Sequence, residues 1–411
     1  MHTFDFIVIG KGLMGSAAFR HLSEQTRNVA VIGPDEPQQH ATHDGVFASH
    51  YDEGRLTGRL TKDIVWAHLS AWSIARYRAL EARSGIPFYT PCGRLTVVRE
   101  EQPRRYLTQR DPIAQALNVE YDTFRDAAQI AQRFPMFGFP AGFSGVFERP
   151  PAGYILPRAL IRAQLAIAEQ NGATLVREEV RSVQVSVQDV EVTTQSGQRL
   201  HAKQVLVASG AFSNCYDLLP RKLALRVKTE TTVLAEVGEA EVARLQAMPT
   251  VGYEIDSTAI DGIYMAPPLR YPDGRSYIKL GCDTTTDEAL RDLAAMQRWM
   301  QAGRDDGMGE IIYNALRSFM PGLDSPRYQV RPCVVTYTPH SKPFVDQLSD
   351  RLFVATGGNG SSAACSETLG FLAASLMLGQ AWPTQFERAT FRAIYADEPI
   401  GEIASLHYGR L

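Results

Sequence analysis

Three glycines near the start of the chain have the spacing of a site that binds a diphosphate. They are Gly10, Gly12 and Gly15, with Leu13 and Met14 between the second and the third. An apolar run precedes them and a helical pattern follows. In a strand–turn–helix unit Gly10 permits the tight turn, Gly12 lets the backbone approach the ligand, and Gly15 lets the helix pack against the strand. Although glycines also mark ordinary turns, this position predicts a dinucleotide site with its diphosphate at the helix N-terminus.

The residue that usually binds the ribose of such a dinucleotide is missing from its expected place. The second strand is predicted over Asn28–Ile32, and Gly33 stands where an acidic residue normally closes it. Pro34, Asp35 and Glu36 follow. Either Asp35 or Glu36, or the backbone of this turn, is expected to meet the ribose. No arginine is present here, which disfavours a dinucleotide with a 2′-phosphate.

Composition and charge exclude several classes of function. The 411 residues include 45% apolar and 21% charged residues and carry a net charge of −3. We therefore expect a globular protein with no nucleic-acid partner, and no apolar run approaches the roughly 20 residues that span a bilayer. The first apolar run is too short for a signal peptide, so a cytoplasmic location and no membrane contact are expected. The cysteines are too scattered for a disulfide framework or a metal site: Cys92, Cys215, Cys282, Cys333 and Cys365.

The segment after the second strand is predicted to be a loop that crosses over the cofactor. It extends from Gln39 to Gly58 and is polar and glycine-containing. A solvated surface loop is the alternative interpretation. The candidate ligand-binding residues of this loop are Thr42, His43, Gly45 and His50.

Two later predicted strands end in small residues that are expected to reach the same ligand. One covers Gln204–Ala208, and the other covers Arg351–Thr356 and leads into the glycine-rich turn Gly357–Ser362. A buried helix, Cys365–Leu378, is predicted after that turn, with its N-terminus aimed at the ligand. The residues selected as further cofactor contacts are Gly33, Pro34, Val180, Ser209, Gly210, Gly358, Asn359, Gly360 and Ser361.

Alternating apolar and polar residues predict a second, mostly antiparallel sheet in the middle of the chain. We predict one domain from residues 1–85, 150–220 and 340–411, and a substrate domain from residues 86–149 and 221–339. The main strands predicted for the substrate domain, and its one predicted helix, are Gly93–Val98, Thr231–Val237, Gly262–Ala266, Tyr277–Gly281, Arg331–Tyr337 and the helix Asp287–Ala302.

This order of motifs resembles the D-amino-acid oxidase superfamily of flavoproteins, within it the branch of monomeric sarcosine oxidase, N-methyltryptophan oxidase and the amadoriases. The resemblance extends from Phe4 to Leu378. It implies an α/β (α+β) fold: a Rossmann-like FAD-binding domain with a second, mostly antiparallel β-sheet substrate domain. The most specific segment, Arg331–Pro339, places Cys333 where the branch attaches its flavin through a covalent 8α-thioether. A buried structural cysteine is the alternative.

A second specific segment, Tyr277–Gly281, contains Lys279. The resemblance implies that this lysine lies over the flavin and promotes the reaction of reduced flavin with oxygen. A cation there stabilises negative charge developing on superoxide and on the flavin. The alternative is a lysine at a strand edge that reaches solvent.

The chain departs from the branch where the branch binds a substrate carboxylate. The loop that ends at Arg55 lacks the family's other arginines, Ala364 replaces a lysine, and Asp283 replaces an active-site histidine. A carboxylate would lose charge-assisted bonds here. We therefore expect an amine that is not recognised through a simple α-carboxylate, or one that is recognised by new groups such as His50, Arg55 or Tyr264. Asp283 is expected to hold or deprotonate the amine.

These features together predict an FAD-dependent enzyme that oxidises a C–N bond of a secondary or N-substituted amine to an imine. Molecular oxygen is the expected second substrate, hydrogen peroxide the product, and the enzyme is expected to be a monomer or a small homo-oligomer. One alternative is a flavin-dependent amine dehydrogenase that uses another acceptor. Another is a flavin-binding protein without turnover. An NAD-dependent dehydrogenase would account for the first glycine motif alone.

Overall fold

The computed structural model describes residues 2–61, 63–99, 103–303 and 306–399. Residues 400–411, at the end of the first predicted domain, therefore lie outside the described residues. The strands of the described chain are β1 (Thr3–Ile9), β2 (Val29–Ile32), β3 (Arg55–Thr57), β4 (Tyr89–Thr90), β5 (Arg94–Arg99), β6 (Tyr121–Phe124), β7 (Phe143–Glu148), β8 (Gly153–Ile155), β9 (Thr174–Val176), β10 (Val180–Val185), β11 (Val190–Thr194), β12 (Arg199–Val207), β13 (Arg226–Val237), β14 (Thr250–Tyr253), β15 (Ile260–Arg270), β16 (Ser276–Thr284), β17 (Ala289–Leu290), β18 (Tyr328–Tyr337), β19 (Phe344–Gln347) and β20 (Leu352–Thr356). The helices are α1 (Leu13–Ser23), α2 (Ile64–Ser84), α3 (Pro103–Leu117), α4 (Ala127–Arg133), α5 (Pro157–Gln170), α6 (Glu239–Arg244), α7 (Leu293–Ala302), α8 (Met308–Phe319) and α9 (Ser366–Met377).

The first sheet is built on the strand that precedes the glycine motif. β1 lies between β2 and β12 and is parallel to both, and β9 continues the parallel set beyond β2. β12 pairs with β11 along its first half and with β20 along its second half. Because β1, β2, β12 and β20 are parallel, their carboxyl ends meet at one edge, where ligands bind in open α/β sheets.

The second sheet has the order β17-β13-β16-β15-β14-β5-β7-β6, with β18 also paired to β13. All of its pairings are antiparallel except the one between β14 and β5. The predicted α/β fold, with a mostly antiparallel second sheet, is confirmed. The first sheet draws on residues 3–32, 174–207 and 344–356, and the second on residues 94–148 and 226–337. This distribution supports the proposed domain boundaries, which stay a prediction.

Several predicted elements differ from those in the structure. The predicted helix Asp287–Ala302 is a short strand, β17, followed by α7, because Asp292 caps that helix through the N–H of Ala295 at 2.7 Å. Apolar residues at helical spacing predict a helix over Leu60–Ser84, but α2 begins only at Ile64, since Asp63 accepts N–H groups of its first turn. Sequence analysis missed α3 and α8 altogether. Among the described residues, no helix is both long and apolar enough to cross a membrane.

A buried polar network joins three helices behind the first sheet. Glu367 of α9 accepts from Arg20 of α1 at 2.7 Å and from Gln164 of α5 at 2.6 Å. Burial acts to raise the pKa of Glu367, but the charges of His21 and Arg20 hold it far below its usual range. A buried carboxylate needs such partners to remain charged. The network thereby fixes α1, and with it the glycine turn, against α5 and α9.

Close contact between α1 and α9 depends on Gly370. A Cβ at this position would lie 2.4 Å from Cβ of Ala17 and 2.6 Å from the backbone nitrogen of Ala18. We predict that Gly370→Ala lowers the free energy of unfolding by about 1–3 kcal/mol through overpacking. The thermal midpoint followed by circular dichroism checks this. Gly322→Ala is the control, because a Cβ there meets nothing within 4 Å. Equal midpoints for the two variants would contradict the packing argument.

Candidate active site

One cavity of about 700 Å³ runs from the glycine motif at the edge of the first sheet to residues of the second sheet. Most of the predicted site residues line it, and six do not. The lining set is Gly10, Gly12, Leu13, Met14, Gly33, Pro34, His50, Val180, Ser209, Gly210, Tyr264, Cys333, Gly358, Asn359, Gly360 and Ser361. The six outside it are Gly15, Thr42, His43, Gly45, Lys279 and Asp283.

The glycine motif forms a cradle for an anion. Gly10 has a φ of +99°, and a Cβ on Gly15 would lie 1.8 Å from the carbonyl oxygen of Gly10. Gly15 therefore packs the helix against the turn rather than facing the cavity. A Cβ on Gly12 would meet only Nδ1 of His50, at 3.7 Å. α1 begins at Leu13 with no side-chain cap and no acidic residue in its first turn, so its first N–H groups are available for a diphosphate.

The two acidic residues after β2 are already engaged with cations. Asp35 pairs with Lys11, and Glu36 accepts from Arg158 at 2.6 and 2.7 Å. Neither carboxylate lines the cavity, whereas Gly33 and Pro34 do. Of the alternatives for the ribose contact, the structure therefore favours the backbone of this turn.

The loop after β2 reaches the cavity only with its second half. Thr42 is exposed, His43 contacts the carbonyl of Val46 at 2.9 Å, and Gly45 packs against the carboxylate of Glu179. The predicted direct contacts of Thr42, His43 and Gly45 with the cofactor are therefore corrected. Glu179 holds this loop by accepting the N–H of Val46 at 2.8 Å; sequence analysis did not select it, although it directly precedes Val180.

His50 lies at the diphosphate end of the cavity and not among the groups of the second sheet. It faces Gly12, as described above. Burial lowers the pKa of His50 to about 3, so its imidazole is neutral at physiological pH. We expected His50 to recognise the substrate. The structure instead places it beside the glycine cradle, next to Gly12.

A cationic centre stands between the cavity and β16. Asp52 accepts from Arg55 at 2.8 Å and from Tyr271 at 2.7 Å, and it forms an ion pair with Lys279. We call Lys279, Arg55 and Asp52 the cationic centre, because it contains two cations and one anion. Arg55 lines the cavity, while Lys279 lies behind it with 1% exposure and with Nζ 5.3 Å from the ring centre of Tyr264.

The cationic centre titrates in an accessible pH range. Burial and the charge of Arg55 lower the pKa of Lys279 to about 8, against the opposing effect of Asp52. For Asp52, burial acts upward, but Lys279 and Arg55 bring the pKa down to about 2. The net charge of this wall of the cavity therefore falls as Lys279 loses its proton near pH 8.

Cys333 lies on β18 at the same end of the cavity. It stands opposite Glu230 of β13 in the strand register, and its carbonyl accepts from Trp299 at 2.6 Å. Burial raises the pKa of the Cys333 thiol, and the charges of Arg55 and Lys279 oppose that rise. The structure thus brings Cys333 and the cationic centre together, as the resemblance implied.

Asp283 belongs to a buried acidic cluster and not to the cavity wall. Lys228, which is 0% exposed, lies 2.5 Å from a carboxylate oxygen of Asp283, 2.5 Å from Asp287 and 3.7 Å from Glu230. We call these four residues the acidic cluster. The predicted contact of Asp283 with the substrate amine is therefore wrong: its side chain points to Lys228, on the other side of the wall.

Glu230 is the member of the acidic cluster that lines the cavity. It is 1% exposed and accepts from the hydroxyl of Tyr264 at 3.2 Å. Glu230 therefore presents a carboxylate to the cavity from within the acidic cluster. Sequence analysis missed it, because the predicted strand began at Thr231, whereas β13 begins at Arg226 and includes Glu230.

The C-terminal glycine turn closes the cavity from the first sheet. Asn359 has a φ of +49° and fixes the turn by accepting the N–H of Thr338 at 3.0 Å and donating to Gly357 at 2.6 Å. α9 begins after this turn at Ser366, as predicted within one residue. All the residues of this turn that were predicted to contact the cofactor line the cavity, as do Ser209 and Gly210.

The family comparison decides which dinucleotide the cavity is built for. Residues 5–376 match the DAO family, described as FAD dependent oxidoreductase. The chain belongs to this family. Its cofactor is FAD, and the cradle at Gly10–Gly15, open at Gly12 and free of acidic side chains, fits the diphosphate of that cofactor. The predicted family resemblance and cofactor are both confirmed.

Similar proteins cover nearly the whole chain. Monomeric sarcosine oxidase from Bacillus sp. (strain NS-129) is 25% identical over 384 residues, covering 91% of this chain and 92% of that protein. N-methyl-L-tryptophan oxidase from Yersinia pestis (strain Pestoides F) is 24% identical, covering 94% and 98%. Among solved structures, NikD, described as an unusual amino acid oxidase essential for nikkomycin biosynthesis, aligns with a TM-score of 0.75 at 20% identity over 96% of this chain and 98% of that one. Amadoriase I from Aspergillus fumigatus gives 0.70 at 18% identity, covering 95% and 90%. These two structures share the fold.

The burial of Lys228 among three carboxylates gives a prediction about stability. Lys228→Met leaves three buried carboxylates without their common cation, so we predict a loss of about 3–5 kcal/mol in the free energy of unfolding. Lys203→Met is the control, because Lys203 forms an exposed pair with Asp5 and such pairs contribute about 1 kcal/mol or less. Urea unfolding of both variants measures the difference. Equal stability of the two would show that Lys228 does not balance the acidic cluster.

Proposed function

We propose that this protein oxidises the C–N bond of a secondary or otherwise N-substituted amine to an imine and passes the electrons to molecular oxygen, forming hydrogen peroxide. The observation that carries the proposal is a single cavity that joins the FAD cradle to Cys333, Glu230 and the cationic centre. The similarity to the sarcosine and N-methyltryptophan oxidases supports an amine as the substrate. FAD, when bound, supplies the two-electron acceptor for the C–N bond and the donor for oxygen.

Glu230 is the group that we assign to the substrate nitrogen. Glu230 lines the cavity, and its carboxylate accepts a hydrogen bond from the hydroxyl of Tyr264, which lines the cavity as well. A carboxylate accepts the N–H of an amine and stabilises positive charge that develops on nitrogen as the imine forms. Glu230 is buried, and electrostatic interactions are stronger at a buried position than in water.

The cationic centre is proposed to stabilise the negative charge that develops on the electron acceptor. Arg55 lies in the cavity wall, and protonated Lys279 lies directly behind it, so both stabilise negative charge on the reduced cofactor and on oxygen as it accepts an electron. Asp52 keeps the two cations together in a buried position. Lys279 does not line the cavity. It contacts Asp52 and Tyr264, and its positive charge acts on the cavity at a distance.

Cys333 is proposed to hold FAD through a thioether to the 8α-carbon. We predict that, in the wild-type protein, acid precipitation leaves the yellow colour in the pellet, and that Cys333→Ser releases it to the supernatant. Cys92→Ser is the matched control, since Cys92 is half-buried and lies outside the cavity wall. Colour in the wild-type supernatant would contradict a covalent bond.

The role of Lys279 gives a prediction about the two half-reactions. The flavin is first reduced by an N-substituted amine without oxygen, and is then mixed with oxygen while visible absorption and peroxide are recorded. We predict roughly 100-fold slower reoxidation in Lys279→Met. In the wild type the reoxidation rate should fall as the pH rises through about 8, because Lys279 loses its charge there. The variant should lack this pH dependence.

The control for this experiment is Lys342→Met. Lys342 also lines the cavity, but it is paired with Asp63 at 2.9 Å and lies outside the cationic centre. A flavin that no amine reduces would contradict the proposed amine oxidation. A flavin that amines reduce but oxygen does not reoxidise would assign the protein to the amine dehydrogenases, and the oxidase proposal would be wrong.

A further inference from the structure

The cations that line the cavity fall into two groups. Lys11, Arg55 and Lys342 are each paired with an aspartate. Arg94 and Arg110 also line the cavity, but neither forms an ion pair with any residue in the described part of the chain. Arginine stays charged in proteins. Among the described residues, neither of these two guanidinium groups therefore has a carboxylate within ion-pair distance.

Arg110 is held in place by Tyr106 on its own helix, α3. Its guanidinium lies 3.5 Å from the centre of the Tyr106 ring, and Nη1 donates to the Tyr106 carbonyl at 3.2 Å. The residue is 2% exposed, and its Nε has no acceptor among the described residues. Burial lowers the pKa of Arg110, and Arg94 lowers it further, while Tyr106 and Glu254 act in the opposite direction.

Arg94 is the first residue of β5, and its positive charge is near enough to lower the pKa of Arg110. The residue opposite it in β7 is Glu148, but that carboxylate accepts from the backbone N–H groups of Arg59 and Leu60, at 2.8 and 3.0 Å. Burial raises the pKa of Glu148, against the opposing effects of those two N–H groups and of the charges of Arg94 and Arg59. The Nε of Arg94 is buried and has no acceptor in the described chain. Glu148 therefore fixes the loop after β3 through its hydrogen bonds and, within the described residues, forms no hydrogen bond with the guanidinium of Arg94.

Two neighbouring guanidinium groups with unused donors destabilise the protein unless an anion binds between them. Guanidinium groups match a carboxylate in geometry and bind it through paired hydrogen bonds. We propose that Arg94 and Arg110 form a subsite for a carboxylate of the substrate. This proposal rests on the proposed function and narrows its substrate class to amines that carry an acidic group, such as N-substituted amino acids.

The subsite takes the place of the carboxylate-binding residues that the resemblance implies are missing. The resemblance places Ala364 where the branch has a lysine, and it leaves Arg55 as the one arginine of the loop. The substrate carboxylate is instead bound by β5 and α3, while Glu230 on β13 meets the amine. The substrate is thus oriented by two opposite charges on separate elements of the second sheet and its helices.

The first test measures carboxylate binding without turnover. The holoprotein is titrated by calorimetry with propionate and succinate, and with propionamide as the neutral control. We expect the carboxylates to bind at least tenfold more tightly than the amide in the wild type. Arg94→Met and Arg110→Met should remove this preference and leave the FAD content unchanged. Arg99→Met is the control on the same strand, since Arg99 is exposed and paired with Asp256. A preference that persists in Arg94→Met would overturn the subsite.

The second test uses the reaction itself. Flavin reduction is compared for an N-methyl amino acid and its amide. Loss of one charge-assisted bond predicts a roughly 10- to 100-fold lower kcat/KM for the acid in Arg94→Met, with little change for the amide. Arg94→Lys should recover part of the loss, which a purely structural role would not predict. An equal loss for acid and amide would overturn the proposal. Carboxylate binding that depends on Arg94, in a protein that no amine reduces, would keep the subsite and contradict the amine oxidase.

Discussion

The pairing of buried charges around one cavity is the constraint on which the rest of the structure depends. Lys279 remains inside the second sheet because Asp52 binds both it and Arg55. Lys228 remains buried because three carboxylates surround it. An isolated charge in either place would be expensive to bury. Arg55 of one cluster and Glu230 of the other line the cavity, so the two clusters give it a cationic and a carboxylate side.

This polarity matches the chemistry of C–N bond oxidation. Positive charge develops on the nitrogen, and negative charge develops on the electron acceptor. Glu230 lies on the side of the first, and Arg55 with Lys279 on the side of the second. Rigid strands hold both sets: β13 and β16 are neighbours, and β18 with Cys333 lies on the other edge of β13. The paired strands therefore fix the positions of both sets of groups, and such preorganisation is what electrostatic catalysis needs.

Sequence analysis identified the parts of the site that depend on local backbone. Glycine spacing located the cradle at Gly10–Gly15 and the turn at Gly357–Ser362, since a tight turn or a close helix contact restricts residue type. Family, cofactor and fold class followed from these and from Cys333, and all three are confirmed. Alternation in a strand separates two faces but does not say which one lines a cavity. Asp283 was selected because the resemblance places it where the branch has an active-site histidine, and Glu230, which lies one residue before the predicted strand Thr231–Val237, was missed.

The same limit applies to residues whose partners are distant in sequence. Arg94 lies at the start of a correctly predicted strand, and Arg110 lies in a helix that was not predicted. Nothing in the sequence indicates that both reach the cavity or that Glu148 is engaged elsewhere. The reverse happened in the loop after β2. Its polar, glycine-containing pattern predicted cofactor contacts for Thr42, His43 and Gly45, but none of the three lines the cavity, and Gly45 packs against Glu179.

The central claim is that the reactive ring of FAD lies against the cationic centre, and its most direct test is a sulfite titration of the holoprotein. Sulfite adds to the oxidised flavin ring and leaves a negative charge on it, which nearby cations stabilise. The account predicts loss of the flavin's visible absorption with sulfite, and weaker sulfite affinity as the pH rises through about 8, where Lys279 loses its proton. No reaction with sulfite, or an affinity for the sulfite anion that does not change across that pH range, would contradict the account.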